Sequence, residues 1–199
     1  MRCIPKSIHR CTFAIATLAV TLSCVSISHA DRPRANGSIS HRDRAEILDL
    51  MARYQQYFDS GYGDAYASLY TEDGELNYPD QDGDGIRESI KGREALAAFT
   101  AKVRRERGLD HIVIHHLGNT MLVGIDPKHI RARTPVMMAE VDATRLFNAT
   151  VTGYGIYEDD LVKTAAGWRI QKRSGDVYGR LPIPPEFLPS GASRRELVE

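Results

Sequence analysis

The stretch from His111 to Asn119 reads His-Ile-Val-Ile-His-His-Leu-Gly-Asn, and it holds residue types suited to proton chemistry. Ile112, Val113 and Ile114 are β-branched, and Leu117 and Met121 continue the apolar run, so a strand is expected. Side chains alternate along a strand, which would put His115, Leu117, Asn119, Met121 and Val123 on one face and His116 on the other. Imidazole titrates near neutrality, so a histidine facing a cavity can take a proton from a substrate. An amide on the same face could hold that substrate. From this stretch alone two readings stay open: His115 is a cavity base, or it is a hydrogen-bonded core histidine with Asn119 as a strand-end polar residue.

A second run, Asp80-Gln81-Asp82-Gly83-Asp84-Gly85, places carboxylates at positions 1, 3 and 5 and glycine at 6, like the start of a calcium loop. The twelfth position is Lys91 rather than a bidentate glutamate, and no helix–loop–helix pattern surrounds it. A solvated turn is therefore expected, with calcium on Asp80, Asp82 and Asp84 the lesser alternative. No glycine-rich phosphate loop follows a strand, no Cys/His spacing suits zinc, and no serine nucleophile motif occurs. No cofactor is expected.

The elements that would position these residues follow from periodicity. A helix is expected over residues 42–60, with Ser40 as N-cap, Asp43 as the acid of a variant capping box, and Ile47, Met51, Tyr54 and Phe58 as its core stripe. Gly61 and Gly63 would end it. A short helix over 64–69, a short strand over 75–78 and a long helix from Gly92 to Arg107 come next. From His111 the pattern is all strand, in antiparallel hairpins that turn at 124–128 and 165–167, with Gly153 and Gly155 marking a bulge or bend. Helices followed by a curved antiparallel, in part mixed, sheet make an α+β cone with the N-terminal helices on its concave face.

The 199-residue chain also carries targeting information. Arg2, Lys6 and Arg10, an apolar run from Cys11 to Ile27, and Ser28-His29-Ala30 before Asp31 read as a signal peptide over 1–30. A polar leader over 31–40, one domain over 41–178 and a proline-containing tail over 179–199, loose or packed across a neighbour, would follow. The protein would be periplasmic or secreted, with no membrane contact after cleavage. Cys3, Cys11 and Cys24 all lie in the leader, so the mature chain needs a core rather than disulfides. Setting aside Arg2, Lys6 and Arg10 takes the 26 basic residues to 23, against 26 acidic ones. Near-neutral charge without a basic run offers no footprint for nucleic acid.

Four motifs, in order, carry a resemblance. They are Tyr54-Gln-Gln-Tyr-Phe-Asp59-Ser-Gly, Ile90-Lys-Gly92-Arg-Glu94, His115-His-Leu-Gly-Asn119 and Gly167-Trp168-Arg169-Ile170. Together they resemble the SnoaL-like branch of the nuclear transport factor 2-like superfamily, a branch similar to scytalone dehydratase, bile-acid 7-alpha-dehydratase and lindane dehydrochlorinase. The resemblance runs from about Asp43 to Tyr178. It implies an Asp59–His115 dyad with Tyr54 beside it, and a cofactor-independent lyase or isomerase for a small hydrophobic cyclic substrate. The alternative is a non-catalytic exported pocket protein or interaction domain. Phe58, Tyr62, Asn119 and Arg145 are the candidate substrate contacts, and Arg173 is a further candidate by position. The resemblance also implies a homodimer or homotrimer. Tyr54 and Asp59 are five residues apart, about 140° around an ideal helix. They share a pocket only if the helix end bends or the pocket wraps it.

Overall fold

The structure is a computed structural model that describes residues 38–79, 86–108, 111–142, 149–177 and 183–188. The expected signal peptide, most of the leader, the Asp80–Asp84 loop, Arg145 and much of the tail lie outside the described residues.

Helix α1 runs His41–Ser60. Ser40 Oγ accepts from the Asp43 N–H at 3.0 Å and donates to Asp43 Oδ2 at 2.7 Å, the reciprocal cap its sequence suggests. The other Asp43 oxygen accepts from Trp168 Nε1 at 2.9 Å and Lys163 Nζ at 2.5 Å. That one carboxylate ties the helix start to a distant hairpin. The helix stops at Gly61 (φ 73°), where the Gly61 N–H reaches Phe58 O and the Tyr62 N–H reaches Tyr57 O. A Cβ at Gly61 would clash with the Arg104 side chain, so both backbone and space require glycine there. Helices α2 (Gly63–Ala67) and α3 (Arg93–Arg107) complete the helical layer.

Seven described strands form one mixed sheet: β1 (Tyr70–Pro79), β2 (Ile86–Lys91), β3 (His111–Leu117), β4 (Met121–Asp126), β5 (His129–Asp142), β6 (Ala149–Thr164) and β7 (Gly167–Val177). The order is β2-β1-β7-β6-β5-β3, with β4 also paired to β5, and the sheet is open and curved. Only the β1–β7 pairing is parallel. The concave side packs Tyr70, Leu76, Ile90, Leu161 and Ile170 against Ile47, Leu50, Met51, Tyr66 and Leu96 of the helices. Each fully buried Leu or Ile side chain contributes about 1.5–3 kcal/mol. This is the α+β cone the chain order suggests.

Three features differ from the sequence reading. Strand β1 begins at Tyr70 rather than near 75, and β2 is a strand that the sequence pattern does not signal. The expected continuous strand from His111 to Val123 is broken at Gly118–Thr120. Leu117 pairs with Val136 and Met121 with Arg133, so four steps on one side match three on the other. The extra residue reverses the alternation. Val113, His115 and Leu117 face the concave side, but beyond the break Leu122 packs inward and Met121 points out, 41% exposed. Residues 185–187 of the tail form a short 3-10 turn. Its Phe187 is buried, its Glu186 pairs with Arg131, and it contacts β4.

Candidate active site

The chain's own ends and edges build the site. Asp59 sits in the last turn of α1, where the helix carbonyls disfavour negative charge, so its carboxylate needs donors. Strand β3 lies at the edge of the sheet, and the His115 N–H is not used by β5. Asp59 Oδ2 accepts that N–H at 2.8 Å, and Asp59 Oδ1 lies 2.5 Å from His115 Nδ1. The two side chains are only 14% and 5% exposed, so water competes little for either bond. A carboxylate on Nδ1 selects the tautomer with the proton there and leaves Nε2 as the basic nitrogen.

The remaining sequence candidates fall into three groups. Phe58 is buried beside the dyad, its ring edge-on to His115 with centroids 5.2 Å apart. Tyr54 is buried one turn earlier, stacked on Phe58 at 6.2 Å, and no hydrogen bond joins it to Asp59 or His115 among the described residues. Its ring packs instead against Tyr66 and Tyr157, with centroids at 5.2 and 5.8 Å. Tyr62 is 66% exposed, and Asn119 is exposed in the β3–β4 break; no hydrogen bond joins either to the dyad among the described residues. His116 is exposed on the opposite face from His115. Arg145, Asp80, Asp82 and Asp84 lie outside the described residues, and no group of His, Cys, Asp and Glu suited to a metal occurs among the described ones.

Arg173, a candidate by position in the sequence, lies in a buried polar cluster. Arg173 on β7 and Asp159 on β6 are cross-strand partners with bonds of 2.5 and 2.7 Å, both with side chains wholly buried. The guanidinium carbon lies 3.7 Å from the Tyr54 ring centre and 4.6 Å from that of Tyr157, and Nη2 also reaches Met51 Sδ at 3.0 Å. Burial opposes the Arg173 charge, yet Asp159 and the surrounding phenols outweigh it and hold the group well above its ordinary range. Arg173 Nη1 is buried with no hydrogen-bond partner among the described residues. Tyr66 and Tyr70 share a 2.9 Å hydroxyl bond. Burial first, and then the Tyr54 phenol, pushes both well above the usual phenol range, so both are neutral at physiological pH. A signal for this cluster exists: alternation through Gly155, Tyr157, Asp159 and Leu161 puts a carboxylate on an otherwise inward face.

The floor near His115 is shaped by glycines. Met138 is the cross-strand partner of His115, and Gly153 is the partner of Met138 on the next strand. A Cβ at Gly153 would meet the end of the Met138 side chain, so the glycine lets that methionine lie across the sheet. The register shifts beside it, between Met138 and Ala139, a bulge of the kind the two glycines suggest.

A family model described as a SnoaL-like domain matches residues 40–174. With the cone fold and a concave-face histidine in place, the chain belongs to the SnoaL-like family of the nuclear transport factor 2-like superfamily. Among solved structures it is similar to an NTF2-like protein with a cystatin-like fold from Novosphingobium aromaticivorans. That match has 24% identity and a TM-score of 0.57, over 70% of this chain and 84% of the other. It is also similar to ActVI-ORFA from Streptomyces coelicolor, at 20% identity and a TM-score of 0.59, over 68% and 96%. A candidate scytalone dehydratase from Novosphingobium aromaticivorans matches at 20% identity and a TM-score of 0.55, over 68% and 84%. At such identities the shared property is the fold. No curated protein matches the chain in sequence.

Proposed function

We propose that this protein is a cofactor-independent lyase or isomerase that removes a carbon-bound proton from a small hydrophobic cyclic substrate. The observation that carries the reading is the buried 2.5 Å contact between His115 Nδ1 and Asp59 Oδ1. Nε2 takes the proton from a carbon next to a carbonyl, the electron pair moves to the carbonyl oxygen, and its return expels a leaving group or accepts a proton elsewhere on the ring. Asp59 holds the tautomer and stabilises the imidazolium, the orienting role a carboxylate plays in hydrolase triads, here without a nucleophile. Tyr54, buried between Tyr66, Tyr157 and the Arg173 guanidinium, takes no step in this reaction.

Screening hydroxylated and halogenated cyclic compounds with the native protein and with His115→Ala tests this. The expected result is turnover of at least one compound that vanishes in the variant while folding is retained. Turnover indifferent to His115 would remove it as the base, and no turnover across the panel favours the second reading, a non-catalytic exported pocket protein or interaction domain. That reading draws support from the outer face, where Ile112, Ile114, Met137, Val151 and Tyr154 are all more than a third exposed.

Two further proposals accompany either reading. Residues 1–30 direct export to the periplasm or beyond, and N-terminal sequencing of secreted material should begin at Asp31. The outer face joins copies into a dimer or trimer, because Ile114, Ala139 and Val151 form one cross-strand row with Met137 and Tyr154 beside it. Ile114→Glu with Val151→Glu should give monomers by sedimentation, and an unchanged mass would exclude this face.

A further inference from the structure

A cleft of about 420 Å³ lies between α1, the α2–β1 turn and the β6–β7 turn. Its walls include Arg42, Arg53, Arg169, Tyr57, Ser68 and Trp168. Glu46 and Asp49 are its carboxylates, so the guanidinium groups outnumber them by one.

The carboxylates do not balance the cleft. Glu46 pairs with Arg42 at 2.8 Å and Asp49 with Arg53 at 2.7 Å, both as i,i+4 pairs on the exposed helix surface. Such pairs contribute little in water, so either guanidinium can turn toward a ligand at small cost. Arg169 differs. Its Nη1 donates to the Trp168 carbonyl at 2.8 Å, which fixes the group in the wall. Its Nε is buried with no acceptor among the described residues. A charged donor without an acceptor is costly, and a bound acceptor relieves that cost. Burial first, and then the charges of Arg93 and Arg53, hold Arg169 below its ordinary pKa. Planar guanidinium groups match anions that present two oxygens.

We propose that this cleft binds a small oxyanion, a carboxylate or phosphate group, anchored by Arg169 with Arg53 and Arg42 turning over it. The site is separate from the Asp59–His115 dyad: Tyr57 lines the cleft, whereas Asp59, two residues on and about 200° around the helix, turns to β3. It stands whether or not the dyad is catalytic.

Trp168 is the only tryptophan in the chain and stands in the cleft wall, so its fluorescence reports on this site. The full-length protein is titrated with sodium phosphate and, separately, with sodium acetate, with sodium chloride keeping ionic strength constant. The expected result is a saturable fluorescence change with at least one anion, and a rise in melting temperature at saturation. Saturation with phosphate alone assigns a phosphoryl ligand, and saturation with acetate alone assigns a carboxylate. The midpoint should move at least tenfold in Arg169→Gln and shift in the same direction in Arg53→Gln, whose side chain is exposed and removable without unfolding. Lys102→Gln, which removes a charge on α3 outside the cleft, should bind like the native protein. A linear response to both anions would overturn the proposal, as would saturation unchanged in Arg53→Gln and Arg169→Gln.

Discussion

Asp59 grips His115 twice, through the backbone N–H at 2.8 Å and the ring Nδ1 at 2.5 Å, and so joins the end of α1 to the edge of the sheet. Asp59→Ala leaves two buried donors without acceptors, at about 1–3 kcal/mol each. Asp59→Asn keeps one acceptor and faces the other donor with an amide N–H, so its loss should be smaller. Urea unfolding of both variants checks the order. If the two are as stable as the native protein, the pair is not the structural joint described here.

Asp43 predicts a specific acid response. Lys163, Ser40 and Trp168, in that order, draw its pKa down to about 2 from the model-peptide value of 3.8. A folded-state pKa below the unfolded one gives stability that is complete above the unfolded value and lost as pH falls toward the folded one. Asp43→Asn should lower Tm at pH 7, and the gap to the native protein should close between about pH 4 and pH 2. A gap of constant size over that range would mean that the Asp43 charge contributes nothing.

Arg173 and Asp159 form a wholly buried ion pair, and removing one partner strands the other. Asp159→Ala should cost about 3–5 kcal/mol. Replacing both by apolar residues of similar volume, as in Asp159→Leu with Arg173→Met, should recover most of that loss. Denaturation midpoints of the single and double variants measure the coupling, and strictly additive losses would contradict a paired role.

Gly153 and Gly155 should respond differently to the same methyl group. At Gly153 the new Cβ meets the far end of the Met138 side chain, which can swing away. At Gly155 it meets the backbone carbonyl of Asp176, which cannot. Gly155→Ala should cost about 1–3 kcal/mol, with Gly153→Ala well below it. Thermal melts of the two proteins would show the reverse order if the backbone there yields more easily than the side chain.

Much of the helical layer is readable from spacing, because Ile47, Met51, Tyr54 and Phe58 recur at helical intervals between an explicit N-cap and Gly61. Strand β2 is not, since an edge strand of Glu88, Ser89 and Lys91 around one buried Ile90 carries almost no apolar pattern. The Gly118–Thr120 break is hidden for a different reason. A single extra residue reverses every later side chain while leaving composition unchanged, so Met121 and Val123 read as inward when they are not. His115 lies before the break, and its placement on the concave face does not depend on it. Asn119 lies within the break, and its exposure follows from it. The Arg173–Asp159 pair depends on the register between β6 and β7, which the bulge after Asp160 sets and no local motif announces.

Proton abstraction by His115 is the central claim, and solvent deuterium exchange tests it most directly. Cyclic ketones bearing a β-hydroxyl or β-halogen are incubated with the protein in D2O and followed by mass spectrometry. The account predicts that at least one compound gains deuterium at the carbon beside its carbonyl, or loses its leaving group, and that both changes drop to the background rate in His115→Ala. Exchange that persists undiminished in His115→Ala, or a native protein that leaves every compound at the background rate, would contradict it.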